Sequence, residues 1–374
     1  MSASVTSRDA AGAAEPGPGR IARWSAAVAA ALIPLGLALV TSTIILAVLG
    51  VDFIAFYQDI LTAGIVRESG RFDVITRMAP ILLIGCGLIY VFRANLWNLG
   101  MDGQYLLAAA FVAGLGPSVM AGLPFVMGWV VLALLAMVIG AAWTLIPSIL
   151  KARYGINEIV TTLMMSFIGI NLAVVLVSGP FDGPASVPQT DVIPREAMLA
   201  DLPGTSIHIG VLVSLLACLL TFLGFARTSF GTRLDVLGAN ARAAVHVGID
   251  VPRLIVVAFL VSGALVGLAA AMDIQGVFGY MRADWNPAYV LTVVPLVFLA
   301  RMNALALIPF AALLSLLSIG GLYAARRAAI PSDFVLLFMG ILLLFMVGTQ
   351  YLRDRRARGE PPLRGALRRV AADG

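Results

Sequence analysis

Apolar residues recur along this chain in runs of about 20, each long enough to cross a bilayer as a helix. The first runs from Ser25 to Gly50. Others lie near 78–92, 99–116, 124–149, 157–178, 207–226, 254–272, 287–301, 304–323 and 334–350. The pattern predicts an all-α polytopic membrane protein with about ten transmembrane helices. Residues 51–77 break it, because Asp52, Asp59, Arg67, Glu68, Arg71 and Asp73 cannot cross. Within them Phe53, Phe56, Tyr57, Ile60 and Leu61 share one helical face, opposite Asp52, Gln58 and Asp59. That is the pattern of an amphipathic helix lying at the membrane interface.

The polar ends set domains and orientation. Residues 1–24 are rich in Ala, Gly, Ser and Pro and read as a disordered cytoplasmic tail. The apolar run behind them is too long for a signal-peptide core, so it counts as a span. Residues 25–350 form the transmembrane domain, and 351–374 a basic cytoplasmic tail. With the N-terminus inside, the inner segments hold 18 Arg and Lys residues and the outer ones 7. That asymmetry predicts cytoplasmic N- and C-termini.

Composition narrows the function. Of 374 residues, 60% are hydrophobic and 12% charged. Soluble domains average about 45–50% and about 25%. A disordered chain, a nucleic-acid-binding domain and almost any soluble enzyme are excluded, and no nucleic-acid partner is expected. Cys86 and Cys218 lie inside apolar runs and read as small core residues. The one lysine, Lys151, stands between Leu150 and Ala152. The Gly-Lys-Ser/Thr of a phosphate loop is therefore missing, and ATP hydrolysis is expected on a separate subunit. His208 and His246 make no metal-ligand pattern, and no metal or cofactor is expected. No catalytic constellation stands out.

Two polar stretches carry candidate chemistry. In Asn95-Leu-Trp-Asn-Leu-Gly-Met-Asp-Gly-Gln104 an acid and three amides sit beside two glycines between spans 2 and 3. Polar groups at membrane depth face protein or a water-filled cavity. The stretch is either a substrate pathway or a short turn in which Asp102 caps span 3. In the inner loop, Asn240 is a good N-cap and Gly248 a good helix stop. The Ala-rich segment between them is either a helix small enough to enter a partner's cleft or a connector on the membrane surface. Glu158 reads as a first-turn acid favoured by the helix dipole. Gly263 and Gly267 form a GxxxG that favours close helix packing. Asp273, Asp284, Trp285 and Asn286 read as solvated outer ends of spans 7 and 8.

Taken together, these stretches resemble the permease subunits of bacterial ABC importers in the ribose, branched-chain amino acid and nucleoside superfamily. Phe92-Arg-Ala-Asn-Leu-Trp-Asn-Leu-Gly-Met-Asp-Gly-Gln104 is similar to the family's Phe-Arg-Ala-Gly-Leu-Phe-Asn-Ile-Gly-Ala-Glu-Gly-Gln. Gly238-Ala-Asn through Gly248-Ile, followed by Ser262-Gly-Ala-Leu-Val-Gly-Leu-Ala-Ala, resembles its coupling loop and next span. Leu299-Ala-Arg-Met-Asn303 resembles Leu-Ala-Arg-Leu-Asn-Pro without the proline, and Tyr154-Gly-Ile-Asn-Glu158 also fits. The form of the first motif, with the long segment after span 1, is that of the nucleoside-type branch, although Asp102 stands where Glu is usual.

The resemblance implies an inverted repeat of the type II ABC importer kind, with spans 2–5 antiparallel to spans 7–10. It implies a substrate pathway at Asn98, Gly100, Asp102, Gly103 and Gln104. It implies ATPase coupling through Gly238, Ala239, Asn240, Ala243, Ala244, Gly248 and Ile249. The expected partners are a cytoplasmic ABC ATPase, a second permease subunit, an extracytoplasmic solute-binding protein and membrane lipid. The expected function is passage of a nucleoside-like or simple-sugar solute across the bacterial inner membrane. A branched-chain amino acid permease is an alternative. So is a secondary transporter, for which Asp102 is the one candidate ion-coupling carboxylate.

Overall fold

A computed structural model describes residues 20–331 and 334–357. Residues 1–19 and 358–374, most of the two expected tails, lie outside the described residues. The described chain forms thirteen α-helices. They are α1 (Arg20–Val48), α2 (Phe53–Leu61), α3 (Glu68–Arg93), α4 (Met101–Gly122), α5 (Phe125–Tyr154), α6 (Glu158–Val177) and α7 (Gly210–Arg227). There follow α8 (Ser229–Ala239), α9 (Ala241–His246), α10 (Val251–Asp273), α11 (Tyr289–Leu299), α12 (Ala304–Arg327) and α13 (Phe334–Ala357). Eight of them are long and apolar enough to cross a membrane: α3, α4, α5, α6, α7, α10, α12 and α13. They fall on expected spans 2–7, 9 and 10.

Three expectations need correction. Expected span 8 is only 11 residues of helix, α11. At 1.5 Å per residue that is about 16 Å, roughly half of a bilayer core. Its late start follows from Pro287, which has no N–H and disfavours helix at Asn286 before it. Asn286 then accepts from Ala288 N at 2.9 Å, and Ala288 takes a left-handed φ of 51°. Expected span 2 starts ten residues earlier, at Glu68, because Arg71, Asp73 and Arg77 end the apolar run without ending the helix. The amphipathic helix forms as α2, capped by Asp52, which accepts from Ile54 N at 2.9 Å and Ala55 N at 3.1 Å. Its Phe56 and Ile60 are buried with Leu46 of α1 and Ala324 of α12, so much of its apolar face rests on protein. Arg327 of α12 pairs with Asp59 of α2 at 2.5 Å.

The core is built on α3 and α10, which pack against each other; α5 lies on α10 and α12 on α3. Small residues permit the close approach. A Cβ on Gly87 of α3 would fall 2.9 Å from the Ser262 carbonyl oxygen of α10. One on Gly267 would meet Met137 Cα of α5 at 3.2 Å. The GxxxG of α10 thus packs a helix, as the sequence suggests. Gly140→Val, directly against Gly263 and Gly267, should overpack this seam by about 1–3 kcal/mol. The check is a lower melting temperature of the purified complex in detergent than that of Gly122→Val, where the added atom meets nothing.

Cys86 of α3 and Cys218 of α7 are buried free thiols with sulfurs 3.4 Å apart.

The ends of the helices gather into two polar layers. One holds α8, α9 and the ends of α3 and α11. The other holds residues 178–209 and 274–288, which are laced together. Thr190 N donates to Met281 O at 3.0 Å, Ile193 N to Gly279 O at 2.8 Å and Leu199 N to Gln275 O at 2.8 Å.

Candidate functional site

After α3 the chain turns at Asn95, which has a left-handed φ of 56°, and runs without helix to Gly100 before α4 begins. Asn98 is fully buried. Its amide pairs reciprocally with that of Gln104: Asn98 Nδ2 donates to Oε1 at 3.2 Å and Gln104 Nε2 to Oδ1 at 2.9 Å. Asn98 also donates to Ser262 Oγ of α10 at 3.1 Å and accepts from Gly100 N at 3.2 Å. Helix α6 supplies the other partners. Thr162 Oγ1 accepts from Leu99 N at 3.3 Å and Ser166 Oγ from Gly103 N at 3.0 Å. A Cβ on Gly103 would sit 2.6 Å from Ser166 Cα. Four of the five pathway candidates are thereby buried and hold the break at the start of α4.

Asp102 is the fifth, and it is only half-buried. Its Oδ1 accepts from Val290 N at 3.1 Å, at the start of α11. Helix α11 has no side-chain cap of its own. Asp102 therefore caps a helix, as one reading of the sequence has it, but the helix is α11 rather than α4. A carboxylate there also meets the positive end of the α11 dipole. One side chain thus joins the starts of two helices, each entered from a non-helical segment.

One turn along α4 lies a second buried group. Asp273 ends α10 and is 1% exposed, not solvated as the sequence suggests. The chain continues past it as a π-turn, Ile274–Phe278, and residues 190–199 fold over that turn. Asp273 accepts from the hydroxyls of Tyr105 and, at 2.9 Å, Tyr289. The Arg77 guanidinium lies 5.4 Å from the Tyr289 ring centre. Asp284 does lie at the surface, paired with Arg282 at 2.8 Å. Tyr105, Tyr289 and Arg77 carry no local sequence signal, because each sits in or beside an apolar run.

The inner loop has the expected local structure in shorter form. Asn240 accepts from Arg242 N at 3.0 Å and Ala243 N at 3.1 Å and caps the six-residue α9. Gly248 stops it with φ 80°. Ala239, Asn240, Ala243 and Gly248 are exposed, Ile249 is half-buried, and Ala244 is fully buried within the chain itself. Gly238 packs on the end of α3, where a Cβ would lie 3.0 Å from the Arg93 carbonyl carbon. Arg93 holds α8 through Asp235 at 2.5 Å and lies 4.1 Å over the Phe225 ring. Glu158 opens α6 and pairs with Lys151 at 2.7 Å. Among the described residues, no three His, Cys, Asp or Glu side chains gather to hold a metal ion.

Residues 70–347, about three quarters of the chain, match the family model described as branched-chain amino acid transport system / permease component. The chain belongs to this family. It is a multi-pass ABC importer permease, a transport subunit without catalytic function. Membership implies an ATPase and a binding protein as partners. The chain is 28% identical to the glucose ABC transporter permease protein of Haloferax volcanii over 344 residues, 87% of this chain and 90% of that one. It is 28% identical to a guanosine ABC transporter permease protein of Bacillus subtilis over 292 residues, 75% and 82% of the two chains. To a nucleoside ABC transporter permease protein of Lactococcus lactis it is 25% identical over 264 residues, 67% and 71%. No solved structure matches the chain.

Proposed function

We propose that this permease carries a sugar-bearing solute, a nucleoside or a simple sugar, across the bacterial inner membrane. The observation that carries the reading is the solute class of the relatives. Glucose, guanosine and other nucleosides share a hydroxylated sugar ring, and branched-chain amino acids have none. Asn98, Gly100, Asp102, Gly103 and Gln104 form the moving joint of the pathway, with Asp102 tying the start of α4 to that of α11. The test is to copurify the binding protein with this permease and identify its ligand by mass spectrometry. A nucleoside or sugar is expected; leucine, isoleucine or valine would overturn the reading.

The chain crosses ten times, by the eight long helices, α1, and α11 together with its lead-in 279–288. Packing correspondences support an inverted repeat of α3–α6 and α10–α13. Helix α5 lies on α10 as α12 lies on α3, α4 lies on α6 as α11 on α13, and α4 on α10 as α11 on α3. In both halves the second helix follows a non-helical lead-in, as in other inverted-repeat transporters. Both termini are cytoplasmic, on the 18-to-7 distribution of basic residues. Reporter fusions after Tyr351 and within 179–206 should therefore report opposite compartments. The same compartment for both would contradict this topology.

The binding protein docks on the layer of residues 178–209 and 274–288. The ATPase engages α9 and its flanks, Gly238, Ala239, Asn240, Ala243, Ala244, Gly248 and Ile249. A second permease subunit completes the pathway. ATP-driven closure then moves the α8–α9 unit, which Arg93 and Gly238 fasten to α3. Rigid-body movement of one half against the other re-aims the α4–α11 joint.

A further inference from the structure

Asp273 plays no part in the pathway described above, yet it lies where the two halves meet. Arg77 comes from α3, Tyr105 from α4, Asp273 from α10 and Tyr289 from α11. An ionised carboxylate buried here is costly without donors or a counter-charge. Arg77 supplies a counter-charge through space, without a direct ion pair. Arg77 instead lies over the Tyr289 ring, and none of the ion pairs among the described residues includes Asp273. The carboxylate is served by two hydroxyls, and both reach the same oxygen, Oδ2. Hydroxyl donors are also what a sugar ring presents.

The walls fit such a guest. The Tyr105 and Tyr289 rings meet edge to face with centres 5.1 Å apart, and Trp285 lies 5.8 Å from Tyr105 and 4.8 Å from Phe278. Aromatic faces are good surfaces for the apolar face of a sugar or for a nucleobase. Buried polar atoms without partners lie close by. His208 Nε2 and both amide atoms of Gln275 find no hydrogen-bond partner among the described residues. The His208 ring packs on Gly276, where a Cβ would fall 2.7 Å from it. Buried polar atoms are usually hydrogen-bonded, so unpaired ones beside the carboxylate are able to take up the donors and acceptors of a guest.

We propose that Asp273 recognises the hydroxyl pair of the solute's sugar ring, at the carboxylate oxygen where the Tyr105 and Tyr289 hydroxyls donate in this structure. This rests on the reading that the solute bears a sugar. Entry of solute exchanges phenol for sugar hydroxyl at the carboxylate, and the freed tyrosines let α4 and α11 part.

The test uses the complete complex in proteoliposomes with saturating binding protein. Uptake of guanosine is compared with 2′-deoxyguanosine, and glucose with 2-deoxyglucose. In the wild type the hydroxylated member of the transported pair should be favoured by about tenfold, the value of a hydrogen bond to a charged group. Asp273→Asn should bring that ratio close to one, chiefly by slowing the hydroxylated solute. An equal loss for both members would make Asp273 structural and overturn the proposal. If Asp273→Asn does not assemble, Tyr105→Phe/Tyr289→Phe keeps the carboxylate and removes its resident donors. The half-saturating concentration of the hydroxylated solute should then fall by about threefold and that of the deoxy solute by clearly less; an equal change in the two would overturn the proposal. If the wild type carries neither pair but does carry leucine, the sugar-solute reading itself fails, and this proposal with it.

Discussion

Ala243→Trp should leave a permease that inserts and folds but takes up almost no solute. Ala243 is exposed on α9, three residues after the Asn240 cap, and its side chain adds little bulk to the helix. A helix lying only on lipid would show a broad apolar face. Here Val245 and Val247 are exposed but too few and poorly spaced for one. Trp at a close protein interface costs about 1–3 kcal/mol by overpacking, enough to lower uptake about tenfold or more. Retention of the ATPase on the tagged permease, and solute-stimulated ATP hydrolysis, are the readouts. Ala244→Trp is the contrast. Ala244 is buried within its own chain, so that variant should lose fold stability instead. An Ala243→Trp complex with normal ATPase retention and normal uptake would reduce α9 to a connector.

Asp102→Ala should lower uptake about tenfold or more while costing only about 1 kcal/mol of stability, the usual value of a lost helix cap. The two effects separate because the cap joins two different helices. Stability registers one lost hydrogen bond from Val290 N. Transport should register the loss of the proposed link between the movements of α4 and α11. Asp102→Asn keeps an acceptor for Val290 N but removes the charge. It should recover most of the stability and part of the uptake. Full uptake per folded complex in Asp102→Ala would leave Asp102 as a cap alone.

What was legible in the sequence was local. Apolar runs locate the eight long helices because membrane depth imposes length and composition together. Asn240 and Gly248 announce α9 because an N-cap and a left-handed stop act within a few residues. The Phe92–Gln104 motif marks the break before α4. What was hidden depends on residues far apart in the chain. In one of its two sequence readings Asp102 caps its own helix, but its partner lies 188 residues away. Asp273 reads as solvated because nothing local reveals that residues 190–199 cover the end of α10. Tyr105 and Tyr289 look like ordinary span residues until their hydroxyls are found on one carboxylate. The short α11 reads as a full span because apolar residues continue across Pro295, while Pro287 delays the start of the helix.

The most direct test of the account is solute accumulation by reconstituted vesicles. The permease is assembled with its partner permease and ATPase, supplied with binding protein outside and ATP at the nucleotide-binding face, and given guanosine or glucose. Accumulation above the external concentration is expected, requiring ATP, the ATPase and the binding protein, and none by the permease alone. Uphill uptake by the permease alone, driven by a proton or sodium gradient and indifferent to ATP, would contradict it.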